Sequence, residues 1–218
     1  YRLSSLARKW MLPKSDQSLH DKMLLQFLEW EFVEHYETYL RTGQPLNYHA
    51  TMNENQWSLY QRGMRSVAEV STKEISRRTP MPKNARHLLD IGGAHSVHAA
   101  ALCHNHPNLA ATILDLPEAI TSAQKMSAGG AKNKRITFMP GDALTEDLGE
   151  EAWDVVFTSS LTHHFNDDNN SALAKRVARS LRPGGYYIIQ EFIRIDQPRY
   201  GDHVGGLFNM YFAATSQA

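Results

Sequence analysis

The chain has 218 residues, 42% of them hydrophobic and 21% charged, a length and balance that can bury a sizeable globular core. Its 23 Lys and Arg residues match 23 Asp and Glu, and a net charge of zero gives no electrostatic basis for a nucleic-acid partner. A single cysteine, Cys103, excludes an internal disulfide framework, and no apolar run reaches the ~18 residues of a membrane span, which predicts a cytoplasmic protein with no membrane partner.

Residues 1–10 carry no sustained periodicity and, with Tyr1 in place of a methionine, read as the tail of a longer chain. Along residues 16–40 the apolar side chains Leu19, Met23, Phe27, Trp30, Phe32 and Tyr36 recur at helical intervals, until Gly43 and Pro45 stop the pattern. A second helix is predicted from Asn53, with Gln56 as its capping-box partner and Trp57, Tyr60, Met64 and Val67 as its apolar stripe. Pro80, Pro82 and Asn84 break the chain, and a domain boundary is placed there. Residues 1–80 are thus expected to be a helical dimerisation or lid region, and residues 81–218 a second domain.

Strands and helices then alternate. Residues 87–91, 110–114, 136–139, 153–158 and 186–189 read as strands, the last running on to about Phe192. Helices are expected over 97–104, from Pro117 to Gly129-Gly130, and over 169–181, with Pro183-Gly184-Gly185 as a turn. This rhythm predicts an α/β fold, a Rossmann-like, doubly wound and mostly parallel sheet. Its chemistry belongs at the C-terminal strand ends, near the point where the strand order reverses.

Four of those ends carry polar or small residues. After the first strand comes Asp90-Ile-Gly-Gly-Ala-His-Ser, where Gly92 and Gly93 let a ligand approach backbone N–H groups at a helix start. Asp115 closes the second strand, at a distance in sequence from which a carboxylate can grip ribose hydroxyls. Asp142 follows the third strand, and Ser159 to His164 follow the fourth. His95, His98, His104 and His106 raise the thought of a metal site. They flank one helix without supporting carboxylates or thiolates, and no metal is expected.

The ordered series Asp90-Ile-Gly-Gly-Ala-His-Ser, Ile113-Leu-Asp-Leu-Pro-Glu, Pro140-Gly-Asp-Ala-Leu, Thr162-His-His-Phe-Asn-Asp-Asp and Leu181-Arg-Pro-Gly-Gly resembles the class I S-adenosylmethionine-dependent methyltransferases. More narrowly, it resembles the dimeric small-molecule O-methyltransferases of plant and bacterial secondary metabolism. The resemblance implies S-adenosylmethionine as cofactor, S-adenosylhomocysteine as product, a small-molecule acceptor and a homodimer. It places the methionine part of the cofactor at Gly92 and Gly93, the ribose on Asp115, the adenine against Leu116 and Asp142, and Ala143 and Ser159 at the same site. Met64 falls near the methyl-transfer point, with Trp57, Tyr60 and His164 lining the acceptor pocket. His163 takes the role of general base and Glu191 that of the carboxylate orienting it.

The resemblance also implies that residues 1–10 are the last wing strand and exit of a winged-helix region, and that closing strands follow Ala218. Ala94 and Ser96 stand where the family prefers glycine, and Ser96 cannot take positive φ cheaply. Plant members commonly carry a lysine at the position of Ser159. Two other readings remain at the level of sequence: a non-methylating S-adenosylmethionine-binding tailoring enzyme or binding protein of the same fold, and an NAD-dependent dehydrogenase. The missing third glycine argues against the latter.

Overall fold

The computed structural model describes residues 2–127, 133–192 and 203–216. Its helices are α1 (Ser5–Trp10), α2 (His20–Glu34), α3 (Tyr36–Thr42), α4 (Tyr48–Thr51), α5 (Glu54–Arg78), α6 (Val97–Asn105), α7 (Pro117–Ser127), α8 (Asp167–Ser180) and α9 (His203–Thr215). The strands are β1 (His87–Ile91), β2 (Ala110–Asp115), β3 (Ile136–Pro140), β4 (Trp153–Ser159) and β5 (Leu181–Gln190). They form one sheet in the order β3-β2-β1-β4-β5, and each described pairing is parallel. The order reverses between β1 and β4, which opens a crevice at the C-terminal ends of those two strands.

Register assigns the two faces of the sheet. Leu88 pairs with Val155 and Leu89 with Val156, so alternate residues point to opposite sides. On one side Leu88, Val155 and Phe157 pack with Ala99, Leu102 and Cys103 of α6. On the other, Leu89, Ile91 and Val156 pack with Leu173 and Val177 of α8. Burial on both faces explains why these strands read as continuous apolar runs.

Several elements depart from the sequence reading. Residues 2–10 form no strand: Ser4 caps α1, its side chain accepting from Ala7 N–H at 3.1 Å, and Arg8 and Lys9 sit in the last turn where the helix dipole favours cations. The single helix expected over 16–40 is two, α2 and α3, meeting at His35. Its core-facing side chains are Leu25, Leu28 and Phe32, whereas Phe27 and Trp30 are 72% and 67% exposed. Gly63 permits that packing, since a Cβ there would lie 2.7 Å from Leu25 Cδ2. Asn53 and Gln56 close the capping box of α5 as expected. Gly43 ends α3 at φ +70, the left-handed conformation expected of a C-terminal glycine.

The Pro183-Gly184-Gly185 turn is instead an irregularity inside β5, where the register against β4 shifts between Trp153 and Val155. Helix α8 begins earlier than expected because Asn166 caps it, accepting from Asn169 N–H at 2.9 Å. The Gly129-Gly130 helix stop lies outside the described residues. Helices α4 and α9 were not anticipated. Helix α5 packs on both α6 and α7, which joins the helical region to the sheet region. Among the described residues no helix is long and apolar enough to cross a membrane.

Candidate active site

The crevice at the strand ends opens into a cavity of about 640 Å³, walled by α4 and α5 above and by the ends of β1, β2, β3 and β4 below. Trp57, Tyr60, Met64, Gly92, Asp115, Leu116, Asp142, Ala143, Ser159 and His164 all line it. Four strand ends of the sheet and one long helix therefore bring together ten of the thirteen residues singled out in the sequence. No lysine or arginine is among the described lining residues.

The glycine turn is held from beneath. Gly92 has φ +78, and a Cβ there would press on Leu161 at 3.0 Å. Gly93 does not line the cavity; it lies over Asp90, and a Cβ would meet that carboxyl at 2.3 Å. Asp90 is 1% exposed, its Oδ2 has no partner, and burial with the neighbouring Asp115 charge pushes its pKa up to about 7. Ser96 indeed takes the left-handed conformation, φ 61, just before α6.

Asp115 is the best-defined group on the cavity wall. Oδ2 accepts from Ala94 N–H at 2.9 Å, which ties the carboxylate to the glycine turn, and Oδ1 accepts from Leu116 N–H at 2.8 Å. Burial raises its pKa to about 6, partly offset by those two N–H donors. Each oxygen retains a lone pair for a ligand hydroxyl. Asp142 Oδ1 accepts from Leu144 N–H at 2.8 Å, and Arg176 clamps the same loop by donating to the carbonyls of Ala143 and Glu146.

His163 and Glu191 meet as the resemblance implied. His163 Nδ1 lies 2.8 Å from Glu191 Oε1, with both side chains largely buried. Glu191 Oε2 also accepts from Thr162 N–H and Oγ1, both at 3.0 Å, and Oε1 from Phe192 N–H at 2.8 Å. Burial works against the Glu191 charge, but the hydrogen bond and charge of His163 and these donors outweigh it, and its pKa is lowered. The His163 ring stacks on Phe212 of α9 at 3.7 Å between centroids. Neither His163 nor Glu191 lines this cavity. Both face an adjoining one of about 660 Å³ that shares Phe165 and Phe192 as a wall, while the neighbouring His164 ring faces the first.

Wall residues missed in the sequence include His49, Gln61, His95, His98, Leu161 and Phe192. His49 stands on α4, a four-residue helix too short to leave a periodic signal. Phe212 could have been found, because Leu207, Phe208, Met210, Tyr211 and Phe212 make an apolar run of helical length. His95 and His98 line the far end of the cavity, where His98 Nδ1 lies 3.2 Å from Thr72 Oγ1. Among the described residues, no group of three or more His, Cys, Asp or Glu has the arrangement of a metal site.

Comparison with known proteins bears on this site. The L-tyrosine C(3)-methyltransferase of Streptomyces lavendulae is 28% identical over 173 residues, 79% of this chain and 46% of that protein. The 3-hydroxy-5-methyl-1-naphthoate 3-O-methyltransferase of Streptomyces sahachiroi is 23% identical over 148 residues, 68% of this chain and 42% of that protein. The chain thus spans less than half the length of these relatives. In fold it is similar to human N-acetylserotonin methyltransferase in complex with S-adenosylmethionine, with a TM-score of 0.84 at 18% identity over 99% of this chain and 65% of that one. It is also similar to an O-methyltransferase family protein from Burkholderia thailandensis, with a TM-score of 0.83 at 20% identity over 98% and 66% of the two chains. The O-methyltransferase domain family matches residues 27–217, from the core of α2 through β5 to the end of α9, and the chain belongs to that family.

Proposed function

We propose that the chain binds S-adenosylmethionine in the cavity that Asp115 lines and methylates the oxygen of a small phenolic or polyketide-like metabolite, releasing S-adenosylhomocysteine. Asp115 carries this reading: a carboxylate tied to the glycine turn by the Ala94 N–H, held also by the Leu116 N–H and yet open to the cavity, suits the two hydroxyls of a ribose. Leu116 and Asp142 beside it fit an adenine, and Gly92 lets the amino-acid end approach backbone. The cofactor supplies an electrophilic sulfonium methyl, so the protein's work is to align an oxygen with it and remove a proton.

His163 takes that proton as general base. Glu191, held by four donors besides the ring, fixes Nδ1–H and stabilises the imidazolium. His164 is a poor candidate for the role, because burial and the neighbouring His163 and His49 lower its pKa well below the usual value. A second reading is favoured by the likeness to a protein named as a tyrosine C(3)-methyltransferase. A phenolate can be methylated at oxygen or at the adjoining ring carbon, and His163 would serve both. The residues 1–80 act in this proposal as lid and dimerisation region, residues 81–218 as the cofactor-binding domain.

Incubation with S-adenosylmethionine and a panel of phenols and naphthols tests the proposal. S-adenosylhomocysteine should form, and NMR of the product separates O-methyl from C-methyl. Binding of S-adenosylmethionine without turnover on any of them would favour a non-methylating binding protein, and no binding would sink the reading.

A further inference from the structure

Part of the wall of the cavity that Asp115 lines is built of aromatic rings from both regions of the chain. His49 of α4 stacks on Trp57 of α5 at 5.6 Å and meets the edge of His164 at 4.9 Å. His49 Nε2 lies 3.3 Å from Tyr60 Oη, and Tyr60 Oη lies 3.4 Å from Tyr48 Oη. Tyr48 closes the group, 6.0 Å from His164. His164 Nδ1 is buried and has no hydrogen-bond partner, which is unusual because buried polar atoms are nearly always paired. The ring lines the cavity, and because Nδ1 itself is sealed from it, Nε2 is the nitrogen left to meet a ligand.

We propose that His164, together with His49, holds a second polar substituent of the methyl acceptor, neighbouring the oxygen that His163 deprotonates. The preferred acceptors are then uncharged arenes with two adjacent hydrogen-bonding groups. This rests on the reading of the cavity as a methyltransferase site and narrows its substrate class.

Three observations agree. The His163 and His164 rings are 4.1 Å apart, on cavities that adjoin at Phe165 and Phe192, so an acceptor seated where the two meet can present one of two adjacent groups to each. The described lining has no lysine or arginine to neutralise a carboxylate acceptor. Burial lowers the pKa of both His49 and His164, leaving two neutral rings that can donate or accept but carry no charge. His164 is here a positioning residue. It selects the acceptor and sets its pose, while the proton goes to His163.

The test uses the full chain loaded with S-adenosylhomocysteine, titrated with catechol and with phenol. Catechol should bind about tenfold tighter or more, the worth of one buried hydrogen bond. In His164→Phe that preference should collapse to within about threefold, and in His164→Gln, which keeps a donor and an acceptor, part of it should return. His49→Phe should reduce the preference too, which guards against a folding failure at position 164. In turnover, the change should fall on KM for catechol rather than on kcat. Equal binding of the two ligands by the wild type, or a preference that survives in both Phe variants, overturns the inference. Failure of S-adenosylhomocysteine itself to bind would instead overturn the methyltransferase reading beneath it.

Discussion

At the scale of the residue, Asp115 and His163 carry separable parts of the proposed chemistry. Asp115 touches the cavity and the glycine turn but is remote in role from proton transfer. Asp115→Ala should weaken S-adenosylhomocysteine binding by roughly 1.5–3 kcal/mol, the loss of a charge-assisted hydrogen bond, and calorimetry that finds the affinity unchanged removes the ribose assignment. His163→Ala should instead lower turnover by ~10²–10⁴-fold on an unactivated phenol and leave cofactor affinity nearly intact. His164→Ala should cost less in kcat. If it proves the more damaging of the two on an unactivated phenol, the base has been assigned to the wrong ring. Asp115 and Asp142 are legible because each stands at or just past a strand end, and strand ends in a parallel sheet converge, whereas Glu191 is reached only through the resemblance. The orientation of His163 is not legible: which of two adjacent imidazoles faces the cavity depends on the short 3-10 turn of Thr162–His164 and on Phe212 of α9, a contact 49 residues away in sequence.

At the scale of the element, the sheet can be read almost strand by strand, whereas the core-facing side of α2 cannot. Strands buried on both sides announce themselves as apolar runs bounded by Gly, Pro and Asp. Helix α2 is apolar on two faces. Leu25, Leu28 and Phe32 enter the core, and Phe27 and Trp30 are exposed, as are Leu6 of α1 and Leu40 of α3. Periodicity alone cannot rank two apolar faces of one helix. We propose that the outward face of α2 packs on a second copy of the chain, since Phe27 and Trp30 are large, apolar and 72% and 67% exposed. Sedimentation at micromolar concentration should show a dimer, and the double change Phe27→Glu with Trp30→Glu should dissociate it while leaving far-ultraviolet dichroism in place. A wild-type monomer at that concentration would refute the second-copy assignment.

At the scale of the whole molecule, burial sets two families of titrating groups against each other. Burial lowers the pKa of His49 and His98 to about 4, that of His95 to about 3, and that of His164 well below its usual range. These rings are neutral in the fold at pH 5 but protonated in the unfolded chain, whose histidines titrate near 6.5. Their contribution to stability is therefore complete above pH 6.5 and is lost as the pH falls toward the folded values. Asp90 and Asp115 act the other way. Their folded pKa values of about 7 and about 6 mean that the fold keeps protons which the unfolded chain has released above its usual 3.8. What they contribute is present in acid and fades as the pH rises through 6 and 7. At pH 5 the unfolded chain holds extra protons on four histidines and lacks them on two aspartates, which leaves it about two protons ahead. The unfolding free energy from urea titrations should therefore climb by about 2–3 kcal/mol per pH unit near pH 5 and flatten toward pH 7. Asp90→Asn should steepen the rise by about one proton's worth, since one opposing group is gone. A flat or falling profile between pH 5 and 6 would show that these histidines are solvated, and with them the chamber around His164.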